Sequence, residues 1–383
     1  TVIRGGYGIL FSPQMQGNIQ QSVATKTVPF RTFLSKAEAA SSGLVFPVYN
    51  DDARKVVEAR SLQSGIVNVF AVFDPHFQNP YSMNMYFGIQ HALSANWMLE
   101  SAFVGTRGVK FPMERVFNPV DRLTGLRPNP NLGEGYYVDN TQNTIYTSWQ
   151  TSLRKRYSHN ITGSFHYTYG KGLSTAGGDI GGYYQGDTDL RTQDFFNPRA
   201  DRGPSAGDVT HYFASELVYD LPRLSGRSLY VRQALGGWQA STIFTASSGG
   251  PLLITESSSL QVSRPDYIGG NAILSDSRGT LQYLNKNSFA PVPISPVSGA
   301  TIRPGSAGNG EVRGPGLWNV NASLGKNFAI TERMRLQIRA DSFNFFNHTN
   351  FSGLSTSINS PTFGRFTSTL GARVVQLNAH LIF

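Results

Sequence analysis

The chain contains no cysteine, which excludes disulfide frameworks and thiolate metal centres. Its longest uninterrupted apolar run covers only residues 69–73, far short of the ~20 residues that a membrane-crossing helix needs. Charge is sparse as well: Asp, Glu, Lys and Arg make up 15% of the residues, against about 25% in ordinary globular proteins. The shortage of charge does not make the chain greasy, because mean hydropathy is −0.24. Polarity comes from Ser, Thr, Asn, Gln and 40 glycines among 383 residues. The formal net charge of +9 is compatible with nucleic acid or anionic lipid. The basic residues are scattered, however, with no Lys/Arg run and no basic cluster interleaved with aromatics, so a nucleic-acid partner is not predicted. No secretory leader is visible and the first residue is Thr1, which leads to the expectation of a processed or truncated piece.

What the chain has in abundance is alternation. Residues 373–383 place Val375, Leu377, Ala379, Leu381 and Phe383 on one parity, with Gln376, Asn378 and His380 on the other. A period of two is the signature of a strand with one apolar and one polar face. The pattern recurs. It appears at Ile3, Tyr7, Ile9 and Phe11; at Met83, Met85, Phe87 and Ile89; at Trp97, Leu99 and Phe103; and at Ile145, Trp149 and Leu153. It continues at Ile161, Phe165, Tyr167 and Tyr169; at Phe213, Leu217 and Tyr219; and at Trp238, Ala240, Phe244 and Ala246. Two further instances are Trp318, Val320, Ala322 and Leu324, then Met334, Leu336, Ile338 and Ala340.

This predicts about ten antiparallel strands of roughly 9–12 residues, long enough to cross a bilayer when tilted and longer than the ~5–6 residues of soluble strands. Short connections at residues 93–95, 157–160 and 329–332 alternate with long ones at 12–80, 107–143, 171–209, 247–316 and 346–371. Residues 222–236 are read as a somewhat longer turn and 247–316 as the longest structureless stretch. The asymmetry is that of a transmembrane β-barrel with short periplasmic turns and long extracellular loops. Trp97, Trp238, Phe328 and Phe383 mark strand ends on the short-turn side, and Tyr81 and Trp318 on the other, as two interfacial girdles would. The competing reading is a soluble β-sandwich or propeller.

Several segments together resemble the barrel of TonB-dependent outer-membrane receptors, in particular the Oar-like branch with a carboxypeptidase-regulatory-like N-terminal domain. They are Val2-Ile-Arg-Gly-Gly-Tyr-Gly-Ile9, Asn79-Pro-Tyr81 through Gly88-Ile-Gln90, Phe103-Val-Gly-Thr-Arg-Gly108, Arg339 through Phe351 with its Asn344-Phe-Phe-Asn347 core, and the terminal Phe383. The resemblance covers nearly the whole chain and implies that residues 1–383 are the C-terminal portion of a barrel of 22 strands. It also implies a plug domain elsewhere in the parent chain, a TonB-type energy-coupling partner, outer-membrane lipid around the wall, and uptake of a large scarce ligand. It further implies that Phe383 is a signal read by the barrel-assembly machinery.

Candidate sites are few. Tyr183, Tyr184, Asp187, Asp189 and Asp194 share a Gly-rich loop, where clustered carboxylates could hold Ca²⁺ or a ligand, or simply be solvated. Arg333, Arg335, Arg339 and Asp341 share the polar side of one strand. They are read either as contacts to a plug or anionic solute, or as a charge network within the lumen wall. The seven histidines form no His-x-x-x-His or Glu-x-x-His pair, so no metal centre and no cofactor are predicted. No nucleophile elbow and no phosphate loop is present, so the chain is not read as an enzyme. Two functions stay open: energy-coupled uptake, or a barrel that displays loops for adhesion or secretion, with a passive porin as a variant.

Overall fold

In the computed structural model, residues 1–11, 36–45, 51–52, 54–56, 59, 71–133, 135–175, 193–194, 197–222, 224–256, 263–275, 277–331 and 334–383 are described. Ten strands follow one another in a single antiparallel meander. They are β1 (Val2–Phe11), β2 (Tyr81–Ser94), β3 (Trp97–Phe117), β4 (Gly135–Ser158), β5 (Ile161–Ser174), β6 (His211–Asp220), β7 (Trp238–Ser247), β8 (Leu317–Ala329), β9 (Arg335–Phe343) and β10 (Val374–Ile382). Each strand pairs with its neighbours in sequence. Two short segments join from the side: Ala71–Phe73 parallel to β4 and Gly203–Pro204 beside β5. Among the described residues, β1 and β10 are the two ends of the sheet.

Register decides what the alternation means, because a slip of one residue would move every side chain to the opposite face. Residues directly opposite one another in an antiparallel pair project to the same side. Following the pairs from β1, Ile3 faces Ile89, Ile89 faces Ser101, Phe87 faces Phe103, and Phe103 faces Trp149. Trp149 then faces Tyr169, Tyr167 faces Phe213, and Tyr219 faces Ala240. Ala240 faces Leu324, Leu324 faces Ala340, and Ala340 faces Leu377. All the apolar parities predicted from the sequence therefore fall on one continuous face across ten strands. Large side chains stand exposed along it, among them Phe87, Trp149, Leu324 and Leu377.

Turns on the short side have simple chemistry. Between β4 and β5, Ser158 pairs with Ile161, and His159 and Asn160 take φ of 52° and 62°. Positive φ at both central residues is the type I′ geometry that matches strand twist, and Asn and His tolerate it better than most side chains. Between β8 and β9 the turn is closed by Ile330 N–H to Met334 O at 2.9 Å and Met334 N–H to the Thr331 hydroxyl at 3.0 Å. The connection over residues 221–237 contains a helix, Leu229–Leu235.

The structure corrects the sequence reading at two places. Residues 107–143 are not a loop throughout, because β3 and β4 run on as a pair out to Phe117 and Gly135. Register shifts after Gly108 and Phe111, with Lys110 at φ 59°, break the alternation that would have revealed the extension. Residues 247–316 are not structureless. Short pairings join Pro251–Leu252 to Val312–Arg313 and Asp266–Tyr267 to Phe289–Ala290. Pairs of two residues carry no readable period.

Face assignment makes a direct test. Leu324, mid-strand in β8 with Ala240 and Ala340 beside it, is expected to cost ~2–4 kcal/mol when changed to Arg. Leu336→Arg, one residue into β9 near the turn, is expected to cost less, and Gln337→Arg on the opposite face least. Unfolding of the full-length protein in lipid vesicles ranks the three; equal losses would overturn the faces.

Candidate functional site

Beyond the long-loop ends of the strands, the connections fold together into a cap. Its centre is apolar: Ile254, Tyr283, Leu284, Phe289, Ala307 and Val312 come from the β7–β8 loop, and Ile358, Phe363 and Phe366 from the β9–β10 loop. Leu284 and Val292 are almost completely buried. Phe351 stacks on Phe366 with centroids 4.9 Å apart, and Phe289 meets Phe363 edge-on at 5.9 Å. The two loops are also sewn by backbone. Tyr283 N–H donates to Gly364 O at 2.7 Å, Ile358 N–H to Thr255 O at 2.9 Å, and Phe366 N–H to Leu281 O at 3.0 Å. Close approach requires glycine at several positions, Gly249 and Gly305 among them. A Cβ on Gly249 would strike the Gly314 carbonyl, and one on Gly305 the Arg264 carbonyl.

Charged groups tie further loops to this core. Arg264, buried with Asp201, donates to its carboxylate at 2.6 Å. Gln193 braces the pair: its N–H donates to Asp201, its Oε1 accepts from Arg264 N–H, and its amide donates to Gly305 O at 2.9 Å. Burial pushes the Asp201 carboxyl above the usual carboxylate value, against the lowering pull of Arg264. Asp208 accepts from the Arg313 guanidinium and, at 2.6 Å, from Gly172 N–H at the end of β5. Arg122, from the β3–β4 connection, donates to Thr301 and, at 3.0 Å, to Gln193 O. Arg303 grips Asp266 with two bonds of 2.7 Å. Those bonds hold the Asp266 carboxyl below its usual value, helped by Ser306 N–H.

A second polar centre lies on the wall, on the side opposite the apolar face. The Arg339 Nε donates to Asp341 at 2.7 Å and to the Ser323 hydroxyl at 2.8 Å, while Asn378 donates to Asp341 at 3.0 Å. The same face carries Tyr86 donating to Glu100 at 3.1 Å, and Ser164 donating to Glu216 at 3.0 Å. Where β9 leaves the wall, the Asn344-Phe-Phe-Asn347 turn is held by its asparagines, both at φ 52°. Asn344 donates to His348 O and Gly371 O and accepts from His348 N–H, and Asn347 accepts from Arg373 N–H. Phe345 and Phe346 are left exposed, and Trp318 stacks on His348 at 4.0 Å.

Of the residues singled out by sequence, Arg339 and Asp341 are brought together, bonded to each other inside the wall. Arg335 is exposed at the short-turn end of β9 and is not part of that network. Arg333 lies outside the described residues, as do Tyr183, Tyr184, Asp187 and Asp189. Asp194 is described, at the described end of the same loop as Asp201 and Asp208. Phe383 follows β10 and is 91% exposed. Sequence reasoning missed Arg122, Asp201, Asp208, Arg264 and Arg313. Arg264 lies 63 positions from Asp201, Arg313 105 from Asp208 and Thr301 179 from Arg122, so no local spacing signals these pairs.

Two outcomes check the cap. Leu284→Ala is expected to cost ~2–5 kcal/mol within the cap alone, read as faster proteolysis of residues 248–316 while the barrel keeps its folded electrophoretic mobility. The Asp266–Arg303 clamp carries a pH sign. A depressed carboxylate contributes fully above the ordinary value of about 3.9 and loses that contribution as pH falls through its lower folded value. Hydrogen exchange in residues 263–306, corrected for intrinsic rates, is expected to accelerate below that value in wild type, with a smaller pH-dependent change in Asp266→Asn.

Comparison with known proteins places this architecture. The family model described as outer membrane beta barrel domain matches residues 1–376. No curated protein matches the chain. Among solved structures it is similar to the outer membrane transporter YddB from Escherichia coli, at 10% identity and TM-score 0.49, covering 99% of this chain and 38% of that one. It is also similar to the ferric-catecholate import receptor Fiu from Escherichia coli, at 12% identity and TM-score 0.38, covering 81% and 28%. For the FrpB iron transporter from Neisseria meningitidis the identity is 10% and the TM-score 0.40, covering 86% and 34%. The chain thus spans 38%, 28% and 34% of those three proteins' lengths. Strand, face and family agree, and the chain belongs to the outer membrane beta barrel domain family of the bacterial outer membrane.

Proposed function

We propose that this chain is part of the barrel of a TonB-dependent receptor of the Oar-like branch, which takes up a large scarce ligand by energy-coupled transport. The observation that carries the reading is the wall itself. Ten strands present a continuous apolar face outward and a face of fixed hydrogen-bonding groups on the other side. Among the described residues, β1 and β10 each pair with a neighbour on one side only. An open strand edge is not tolerated in lipid, which supports further strands from a longer chain closing the barrel. A wall of that size, with Arg339 and Asp341 fixed on its inner side, is suited to hold a plug. Phe383 belongs to the same reading as the assembly signal.

A folded cap with its own apolar core also favours a second reading, in which the barrel displays the cap for adhesion or secretion. The readings separate on coupling. Full-length protein extracted from outer membranes is expected to bind the purified periplasmic domain of the coupling protein. No binding, with adhesion lost on removing residues 250–315, would move the assignment to display.

A further inference from the structure

Among the described residues, the connection over residues 221–237 differs from the other short-side turns by carrying a helix, Leu229–Leu235. At 100° per residue, Tyr230, Val231, Ala234 and Leu235 share one side of that helix, and Arg232 and Gln233 the other. The apolar side is bare: Tyr230 is 83% exposed and Leu235 63%. In water this would be a costly way to make a turn.

The helix is fixed to the lipid-facing side of the wall. Lys326 belongs to that side by register, opposite Trp238 and Ile338 and two residues from Leu324. Its ammonium, buried, donates to Gln233 O and, at 3.2 Å, to Ala234 O. Trp238, on the same side, donates its indole N–H to Ala234 O at 2.9 Å. The last carbonyls of a helix are its negative end, and a cation there is favourable. Lys326 also sits over the Trp238 and Phe328 rings at 5.1 Å from each centroid. A charge on a lipid-facing surface is thereby solvated by carbonyl oxygens and ring faces, and the helix is held beside the aromatic band that marks the membrane–water boundary. Residues 221–237 contain Arg223, Arg227 and Arg232 and no Asp or Glu. The neighbouring Asp220 belongs to the opposite face, where it accepts from Gln239 at 2.9 Å.

We infer that residues 221–237 form an interfacial anchor, in which Tyr230, Val231 and Leu235 enter the acyl boundary of the inner leaflet while Arg227 and Arg232 meet anionic phospholipid headgroups. The occupant of the bare helix side is lipid, because the apolar side continues the lipid-facing wall and the charge of the segment complements anionic headgroups.

The test uses the full-length protein folded into vesicles of phosphatidylethanolamine and phosphatidylglycerol, with native electrophoretic mobility confirming the barrel. Spin labels are placed by Tyr230→Cys, Gln233→Cys and Leu235→Cys, one at a time; these 383 residues hold no other cysteine. Accessibility is read with oxygen, which partitions into lipid, and with a water-soluble nickel chelate. Labels at 230 and 235 are expected to favour oxygen severalfold over the label at 233. Preference for nickel at all three would overturn the anchor. Protection of 230 and 235 from both reagents would overturn it too, because another protein segment would then cover the helix. The headgroup part is tested separately. Depth at 235 is expected to decrease in phosphatidylcholine vesicles and in the R227E/R232E variant; unchanged depth in both would overturn the anionic contact.

Discussion

In hydrocarbon every backbone N–H and C=O has to find its partner within the protein, because no water is there to supply one. The ten-strand meander is the answer this chain gives to that constraint. Adjacent strands satisfy one another's polar groups, and short turns keep neighbours in sequence as neighbours in space. Once the register is fixed, the two faces have no further choice. Apolar residues meet lipid, and Arg, Asp, Glu, Ser and Asn line the other side. The wall accordingly has little buried apolar core of its own among the described residues: Ala102 is one of few such residues within the spanning strands. The core lies instead in the cap, where water surrounds the chain and burial of Leu284 or Phe363 is again favourable. The molecule folds by two solvent rules, one on each side of the strand ends.

Charged groups help to join cap and wall and to tie one loop to another. Asp208 links Arg313 to the backbone at the end of β5, and Asp201 links Arg264 to the loop that leads back to β6. Removing one member of a buried pair leaves the other uncompensated. Such pairs therefore fix which loop lies against which, even where their net contribution to stability is small. Glycines at positions 249 and 305 set the same arrangement by steric exclusion, since backbone passes where a side chain would be.

The wall was legible in the sequence because its period is imposed locally by the bilayer. Phe87, Trp149, Leu324 and Leu377 each announce their face within a few residues of chain. The extension of β3 and β4 was not legible, because bulges near Gly108 and Phe111 reverse the phase. Nor was the cap. Ile254, Leu284, Val312 and Phe363 are separated by tens of residues without periodicity, and the Arg122–Thr301 contact spans 179 positions. The charged pair Arg339–Asp341 stood out because two residues apart on a strand means one face. Arg264 and Asp201 had no such marker.

The shared core of the cap also governs how freely this surface can vary between strains. Outer loops of a membrane protein usually drift without consequence for the scaffold. Here Tyr283, Leu284 and Phe289 are internal to a folded unit, and changes at them have to be matched by changes near Phe363 and Phe366 in a different loop. Ile268 is different: its side chain is 62% exposed, whereas the neighbouring Gly269 and Gly270 hold positive φ and resist any side chain. Side-chain change will be tolerated at Ile268 and resisted at the two glycines and at the paired aromatic positions. The surface of the cap is thus a patchwork of free and constrained residues rather than a uniformly variable one.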